Sequence, residues 1–540
     1  MTALFDIALA RDVVAAGRDC SRASRLTLTF KVFWPVFALG VLACPGPSAA
    51  AVTLSDMEQL GKHIYFDKNL SEPTGQACAS CHDPRTGFTS PSALVNAFGA
   101  VERGAVIRRA GNRKPPSAAY ATFSEDFSPN GGFNGAPEGG TFWDGRATGK
   151  IITDAIFPSS WSPEQRAAMT ERLGPAADQA MGPFLNDVEQ NLPSALELCQ
   201  RVASAAYHPL WQSAWGDPID CNAPDLSHQR IAFAVAVYEA SPEVNSFSSK
   251  RDRALANESG EDPIEFPLAG LSAQENLGHD LFYTRANSCA RFCHSNDPRA
   301  GATQDLDPTA GTDAEEIYTQ TAAPFFNIGT PANAFNPWYR MVFQRDDDGD
   351  VINPAGLSWV DLGIAFRDDD GDSQSDFEGR EGEFKVPTIR NVDKRPFPSF
   401  PKAYAHNGYF KSLKSIVHFY NTRDLKPTCR DRRGRPERFV PDAIAMLRGC
   451  WPLAEVQSTN IFQCNRDADC KVEIEGRTDA EVFANYCKQE LFNVDGSDGG
   501  TEADSPRDIG NLCLTPAEED AIVAYMKTLS DTLVVRPPSP

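Results

Sequence analysis

"LSDMEQLGKHIYF" (Leu54–Phe66) and "LSAQENLGHDLFY" (Leu271–Tyr283) align without a gap and share Leu, Ser, Glu, Leu and Gly at five of thirteen positions. Self-similarity of this kind marks a duplicated unit. Each copy opens on a Ser at N-cap spacing, continues with apolar residues at helical spacing and closes on aromatics. The residues just downstream of each copy decide the fold. After the first comes Cys78-Ala79-Ser80-Cys81-His82, a regular C-x-x-C-H. Two thiols so spaced add to the two vinyl groups of a haem, and the adjacent His reaches the iron from one face. A disulfide or half a zinc site is the competing reading. An export signal at the N-terminus and the lack of a second zinc-like pair nearby weigh against it.

The second copy leads at the equivalent place into "NSCARFCHSND" (Asn287–Asp297), which holds Cys289, Cys293 and His294. This motif has one residue too many. Its position within the repeat makes it a second covalent c-type haem site, with the extra residue looped out. A disulfide is again the alternative. Fourteen cysteines are present. Cys20 and Cys44 leave with the signal and four carry haems. The rest allow the sequence-local pairings Cys199 with Cys221, Cys429 with Cys450, Cys464 with Cys470 and Cys487 with Cys513. Connectivity does not follow from sequence.

The chain has 540 residues and a formal net charge of −22. That length implies two or three domains, and that charge argues against nucleic acid as a partner. Arg18, Arg22, Arg25 and Lys31 precede an apolar run from Val32 to Ala43, and small residues come next at Pro47–Ala51. Residues 1–51 therefore read as a signal peptide, with cleavage before Cys44 as a lipoprotein the alternative. No later segment is apolar for about 20 residues, so the mature chain has no transmembrane segment.

The expected fold class is mainly α: two cytochrome c-like haem domains with long loops and a disulfide-rich insertion. Residues 52–255 form the N-terminal domain, with helical patterns at Leu192–Ala206 and Gln229–Tyr238. The polar stretch Lys250–Pro263 reads as a linker. Residues 256–540 form the C-terminal domain, with insertions at about 300–380 and 425–513. The first insertion carries "RDDDGD" twice, at Arg345–Asp350 and Arg367–Asp372. These acidic loops are candidates for calcium, or simply solvated. Thr515, Pro516 and Glu518 open a final amphipathic helix with an N-cap, an N1 proline and a capping box.

Seven segments in their joint order resemble the bacterial dihaem cytochrome c peroxidases and their MauG relatives. They are Leu60–Ser71, Cys78–Thr89, "TFWDGRA" (Thr141–Ala147), "FFNIGTP" (Phe325–Pro331), "FKVPTIRNV" (Phe384–Val392), "AYAHNGYFKSL" (Ala403–Leu413) and the final helix. The resemblance implies that the N-terminal haem meets hydrogen peroxide. The C-terminal haem relays electrons, and Trp143 lies between them. It implies a Gln, a Pro and a Glu spaced Q-x3-P-x5-E after the tryptophan. Here they fall at Gln179, Pro183 and Glu189, displaced by what looks like an insertion over Thr148–Asp178. Glu189 is then the general acid/base, Gln179 orients peroxide and Pro183 shapes the pocket. Around Phe98, where some relatives carry a second His ligand, no His occurs.

Counting from His406 places the second haem's distal ligand at Tyr420, a position that is Met in the peroxidases and Tyr in MauG. His418 and Met341 are alternatives. A phenolate ligand stabilises high oxidation states of iron. The electron source is a small c-type cytochrome or cupredoxin, or else an oxidisable protein Trp or Tyr. A non-catalytic dihaem electron carrier is a further reading, and a secreted binding protein working through residues 425–513 is another. The protein is expected to be exported, to the periplasm or outer surface of a Gram-negative bacterium.

Overall fold

The computed structural model describes residues 52–539 apart from 133–134, 259–266, 284–292, 295–322, 370, 372–373, 457–509, 511 and 513. The signal peptide, Cys289, Cys464, Cys470, Cys487 and Cys513 lie outside the described residues. Helices dominate. They include α1 (Asp56–Phe66), the single turn α2 (Cys78–Cys81), α3 (Pro163–Leu185), α4 (Ala195–Ser204), α5 (Pro224–Glu239), α6 (Lys250–Asn257), α7 (Ala273–Tyr283), α8 (Leu413–Thr422) and α9 (Pro516–Lys527). A two-residue strand β1 (Phe325–Phe326) pairs antiparallel with β2 (Phe384–Lys385), Phe325 opposite Lys385.

The residues shared by the two repeat copies have identifiable work. Ser55 and Glu58 close a capping box at the start of α1. Ser272 and Glu275 form the same pair of bonds before α7, at 2.6 and 3.3 Å. Such a box satisfies two backbone donors that a helix start leaves unpaired. The shared glycines sit at helix crossings. A Cβ on Gly61 of α1 would lie 1.9 Å from the carbonyl oxygen of Ala234 in α5, and one on Gly278 of α7 1.9 Å from that of Ala521 in α9. Each crossing also brings a tyrosine Cβ, of Tyr238 or of Tyr525, within 2.9 Å of the same point. Glycine is required because the two backbones touch. The duplication is thus visible as two helix pairs, α1 on α5 and α7 on α9, packed in the same way.

Each pair has its own hydrophobic core. Leu60, Ile64, Tyr65, Trp211, Trp215 and Phe233 lie in the first. Leu281, Phe282, Phe410, Phe419, Trp451 and Tyr525 lie in the second. Burying each large side chain contributes roughly 1.5–3 kcal/mol. Cys199–Cys221 anchors α4 beside the first core, and Cys429–Cys450 staples the loop over the second. The expected N-cap, N1 proline and capping box of the last helix are all present.

The stretch Lys250–Pro263 corrects the linker reading. Its first eight residues are helix α6, opened by a Ser249–Asp252 capping box, with Arg251, Asp252, Ala254 and Leu255 buried. Asp252 tolerates burial because it is paired. Asp252 binds the fully buried Arg390, whose guanidinium also covers the rings of Tyr120 and Phe247 at 4.7 Å. Asp531 accepts from Tyr120 at 2.6 Å and from Asn391 at 3.0 Å, joining the chain end to both halves. A buried charge needs such partners; composition alone cannot reveal them. The described residues from Val52 onward form one compact unit.

The first acidic loop is a turn. Asp346 accepts from the Asp350 backbone N–H, and Asp347 pairs with Arg109 at 2.6 Å. Among the described residues no group of three or more His, Cys, Asp or Glu converges on a metal position. The calcium expectation therefore finds no support among them.

Candidate active site

The turn α2 comes after α1 and projects Cys78, Cys81 and His82 into a large cavity. The Tyr65 hydroxyl donates to the His82 carbonyl at 2.7 Å, holding the turn against the first core. His82 Nδ1 lies 3.1 Å from the Phe88 carbonyl. With Nδ1 donating there, Nε2 is the nitrogen that carries the lone pair. Burial pushes the His82 imidazole down to about 4, so it is neutral and able to ligate. Cys78 and Cys81 are unbridged, and burial raises both thiols, Cys81 to about 12. Two protonated thiols one turn apart beside a neutral imidazole are the donor set that c-type haem attachment requires.

Gln179, Pro183 and Glu189 line the same cavity. Gln179 and Pro183 ride on the last turns of α3, whose first turns make up the end of the inserted segment. Asp178 fixes this insertion by accepting from the backbone N–H groups of Gly149, Lys150, Ile151 and Ile152, at 2.6–3.1 Å. The insertion thus closes on the helix that delivers the site. Glu189 stands in the turn after α3; burial raises its carboxyl, and the Arg146 guanidinium opposes that rise. Phe98 is not on the cavity wall. It is half-exposed and packs edge-on against Phe335, while Val101, Glu102 and Arg103 of its segment line the cavity.

A second cavity is lined by Cys293, His294, Phe282, Tyr420 and Met526. Tyr420 projects from α8 and packs beside Cys293 and Val386. The other ligand candidates turn elsewhere. His418, on the opposite side of α8, holds Glu519 through Nδ1 at 2.8 Å and meets Lys426 through Nε2 at 2.7 Å. Met341 packs with Val101 and Ala110. Met526, which the sequence reads only as part of the last helix's apolar face, lines the cavity from α9.

Trp143 lines both cavities. Its indole N–H donates to the Lys114 carbonyl at 2.8 Å, and its own carbonyl accepts from Lys385 N–H at 2.8 Å. Both lysines also line both cavities.

The family model described as "Di-haem cytochrome c peroxidase" matches residues 55–260. The cytochrome-c peroxidase IdrP2 of Denitromonas iodatirespirans is 36% identical over 375 residues, covering 68% of this chain and 74% of that protein. The chain belongs to the di-haem cytochrome c peroxidase and MauG family. The methylamine utilization protein MauG of Paracoccus denitrificans is 28% identical over 402 residues, 74% of this chain and 82% of its own. The crystal structure of the diheme peroxidase BthA from Burkholderia thailandensis superposes with a TM-score of 0.51 at 22% identity, over 88% of this chain and 86% of that one. That likeness shows the fold. As a di-haem peroxidase family member the protein is an oxidoreductase, and the family implies two c-type haems. The Cys78–His82 donor set fits one of them. For the other, Cys293 and His294 are on the second cavity's wall.

Proposed function

We propose that this di-haem protein reduces hydrogen peroxide in the first cavity with electrons relayed through the second. The observation that supports this reading is that Gln179, Pro183 and Glu189 share one cavity with Cys78, Cys81 and His82, while Trp143 lines that cavity and the next. Cys78, Cys81 and His82 would hold the first haem. Cys289, Cys293 and His294 would hold the second, with Tyr420 as its further iron ligand. A haem bound at each site supplies an iron that exchanges electrons with its surroundings. The Glu189 carboxylate accepts a proton from one peroxide oxygen and returns it to the departing one. The Gln179 amide orients peroxide, and Pro183, lacking an N–H, adds no competing donor. One peroxide, two electrons and two protons give two waters. The electrons come from a small c-type cytochrome or cupredoxin by way of the second cavity and Trp143.

A second reading is a MauG-like oxidase that takes those electrons from a tryptophan or tyrosine of another protein. It is favoured by one observation: Tyr420 lines the second cavity, whereas His418 and Met341 do not. A pure electron carrier is disfavoured, because it has no use for an acid/base on the cavity wall at Glu189.

Residues 1–51 act as the export segment in this proposal, delivering the protein to the periplasm or outer cell surface. Among the described residues no helix is long and apolar enough to cross a membrane.

The test is Glu189→Gln, read by stopped-flow mixing with peroxide. The variant should keep its haem content and lose about 10²–10⁴ in rate, the usual worth of a placed acid/base. An unchanged rate would remove Glu189 from the mechanism.

A further inference from the structure

Beyond Trp143 a line of side chains leads from the cavities to the surface. His406 lines the second cavity. Its ring meets the Trp143 indole edge-on, at 6.3 Å between centroids, and stacks on Phe384 at 3.6 Å. The imidazole is buried, and its Nε2 faces Glu455 Oε2 at 3.7 Å with no hydrogen-bond partner among the described residues. The other Glu455 oxygen accepts from the Tyr339 hydroxyl at 3.4 Å. Tyr339 is buried, and its ring centroid lies 6.2 Å from that of Trp359. Trp359 is half-buried and stacks on Phe366, which is 46% exposed.

Packing alone does not ask for a carboxylate between an imidazole and a phenol, because burying one is costly. Asn407 Nδ2 donates to Glu455 at 2.9 Å, and Arg438 stands 3.7 Å away, so the carboxylate is held in this place. Burial, with Glu455 beside it, keeps the Tyr339 phenol protonated. Tyr339 therefore gives up an electron readily only if its proton leaves too, and Glu455 is the acceptor in reach. We propose that Tyr339 and Trp359 form a redox relay that carries oxidising equivalents from Trp143 towards the surface, where Trp359 is the side chain oxidised. This rests on the peroxide reading, which supplies the oxidant. In the first step one electron passes from Tyr339, by way of the His406 imidazole, to oxidised Trp143, and the phenol proton moves to the Glu455 carboxylate. In the second, one electron passes from Trp359 to the Tyr339 radical, and Glu455 returns the proton. The net change is one electron moved from Trp359 to Trp143.

The experiment mixes the full-length protein with hydrogen peroxide, after mass spectrometry has counted its haems, and freezes it for electron paramagnetic resonance. A parallel sample carries a nitroso spin trap, and the adduct is mapped by peptide mass. Wild type should show a tryptophan radical and an adduct on Trp359. Tyr339→Phe, which keeps the ring and removes the hydroxyl, should lose both. Trp359→Phe should leave the radical on Tyr339. Glu455→Gln should behave as Tyr339→Phe does, and it takes that variant's place should Tyr339→Phe fail to fold. An undiminished Trp359 adduct in either variant would overturn the relay alone. So would a wild type whose haem spectrum responds to peroxide while neither Trp359 nor Tyr339 is oxidised. A wild-type haem spectrum that peroxide leaves unmoved would overturn the peroxide reading and the relay with it.

Discussion

The two cavities are built on one plan and lined with different chemistry. The crossing at Gly61 sets α5 over the first cavity, and that at Gly278 sets α9 over the second. Matched positions on those helices then diverge. Val235 corresponds to Ile522, and Glu239 to Met526, with each pair facing its own cavity. The first cavity adds Gln179 and Glu189; the second adds Tyr420 and a wall of Ile389, Ile416 and Val417. Burial raises the Glu239 carboxyl to about 8. One cavity therefore keeps protons within reach, and the other offers a thioether, a phenol and apolar carbons. Duplication supplied the scaffold; divergence at a few wall positions gave the two cavities different chemistry.

The largest expected effect breaks the comparison outright. Replacing Cys78 and Cys81 by Ala should remove one haem by intact mass and spare the other, and replacing Cys289 and Cys293 by Ala should do the reverse. Retention of both haems in either variant would show that the attachment sites are misassigned. Next comes Tyr420. Tyr420→Phe should slow the reaction of the fully oxidised protein with stoichiometric peroxide by an order of magnitude or more, whereas Met526→Leu should not. The opposite result, tracked by stopped-flow spectra, would pass the ligand role to Met526 and favour the plain peroxidase reading.

A smaller effect sharpens the structural equivalence. Gly61→Ala and Gly278→Ala should each destabilise by about 1–3 kcal/mol, the usual cost of overpacking a close contact. Urea midpoints of the two variants should fall together. A fall in one alone would mean that only one crossing is tight.

The smallest effect is a slope. In the unfolded chain Glu239 would ionise in the ordinary carboxylate range; in the folded chain burial holds its proton up to about 8. Between those values the folded state binds more protons, so stability contributed by Glu239 falls as pH rises across the window. Glu239→Gln should flatten that part of the profile. Urea midpoints at pH 5 and pH 8 that differ equally in both proteins would show that Glu239 does not titrate there.

Much of this protein is written locally. The C-x-x-C-H at Cys78, the shared Ser, Glu and Gly of the helical repeat, and the caps of the last helix each act within a few residues. Short-range sterics and hydrogen bonding specify them, so they are legible in a line of text. The Gln179, Pro183 and Glu189 set was legible as spacing. Its place on the wall of the Cys78–His82 cavity was not, because it depends on Asp178 folding the insertion back onto α3. Three decisions belong to tertiary structure alone. Lys250–Asn257 is a buried helix rather than a linker, because Arg390, far along the chain, neutralises Asp252. Tyr420 rather than His418 reaches the second cavity, because Glu519 and Lys426 hold the imidazole on the other side of α8. Lys114 and Lys385 meet around Trp143 through backbone bonds although they stand far apart in sequence. In each case the deciding partner lies far away in sequence, and an isolated segment holds no record of the charge or packing that will meet it.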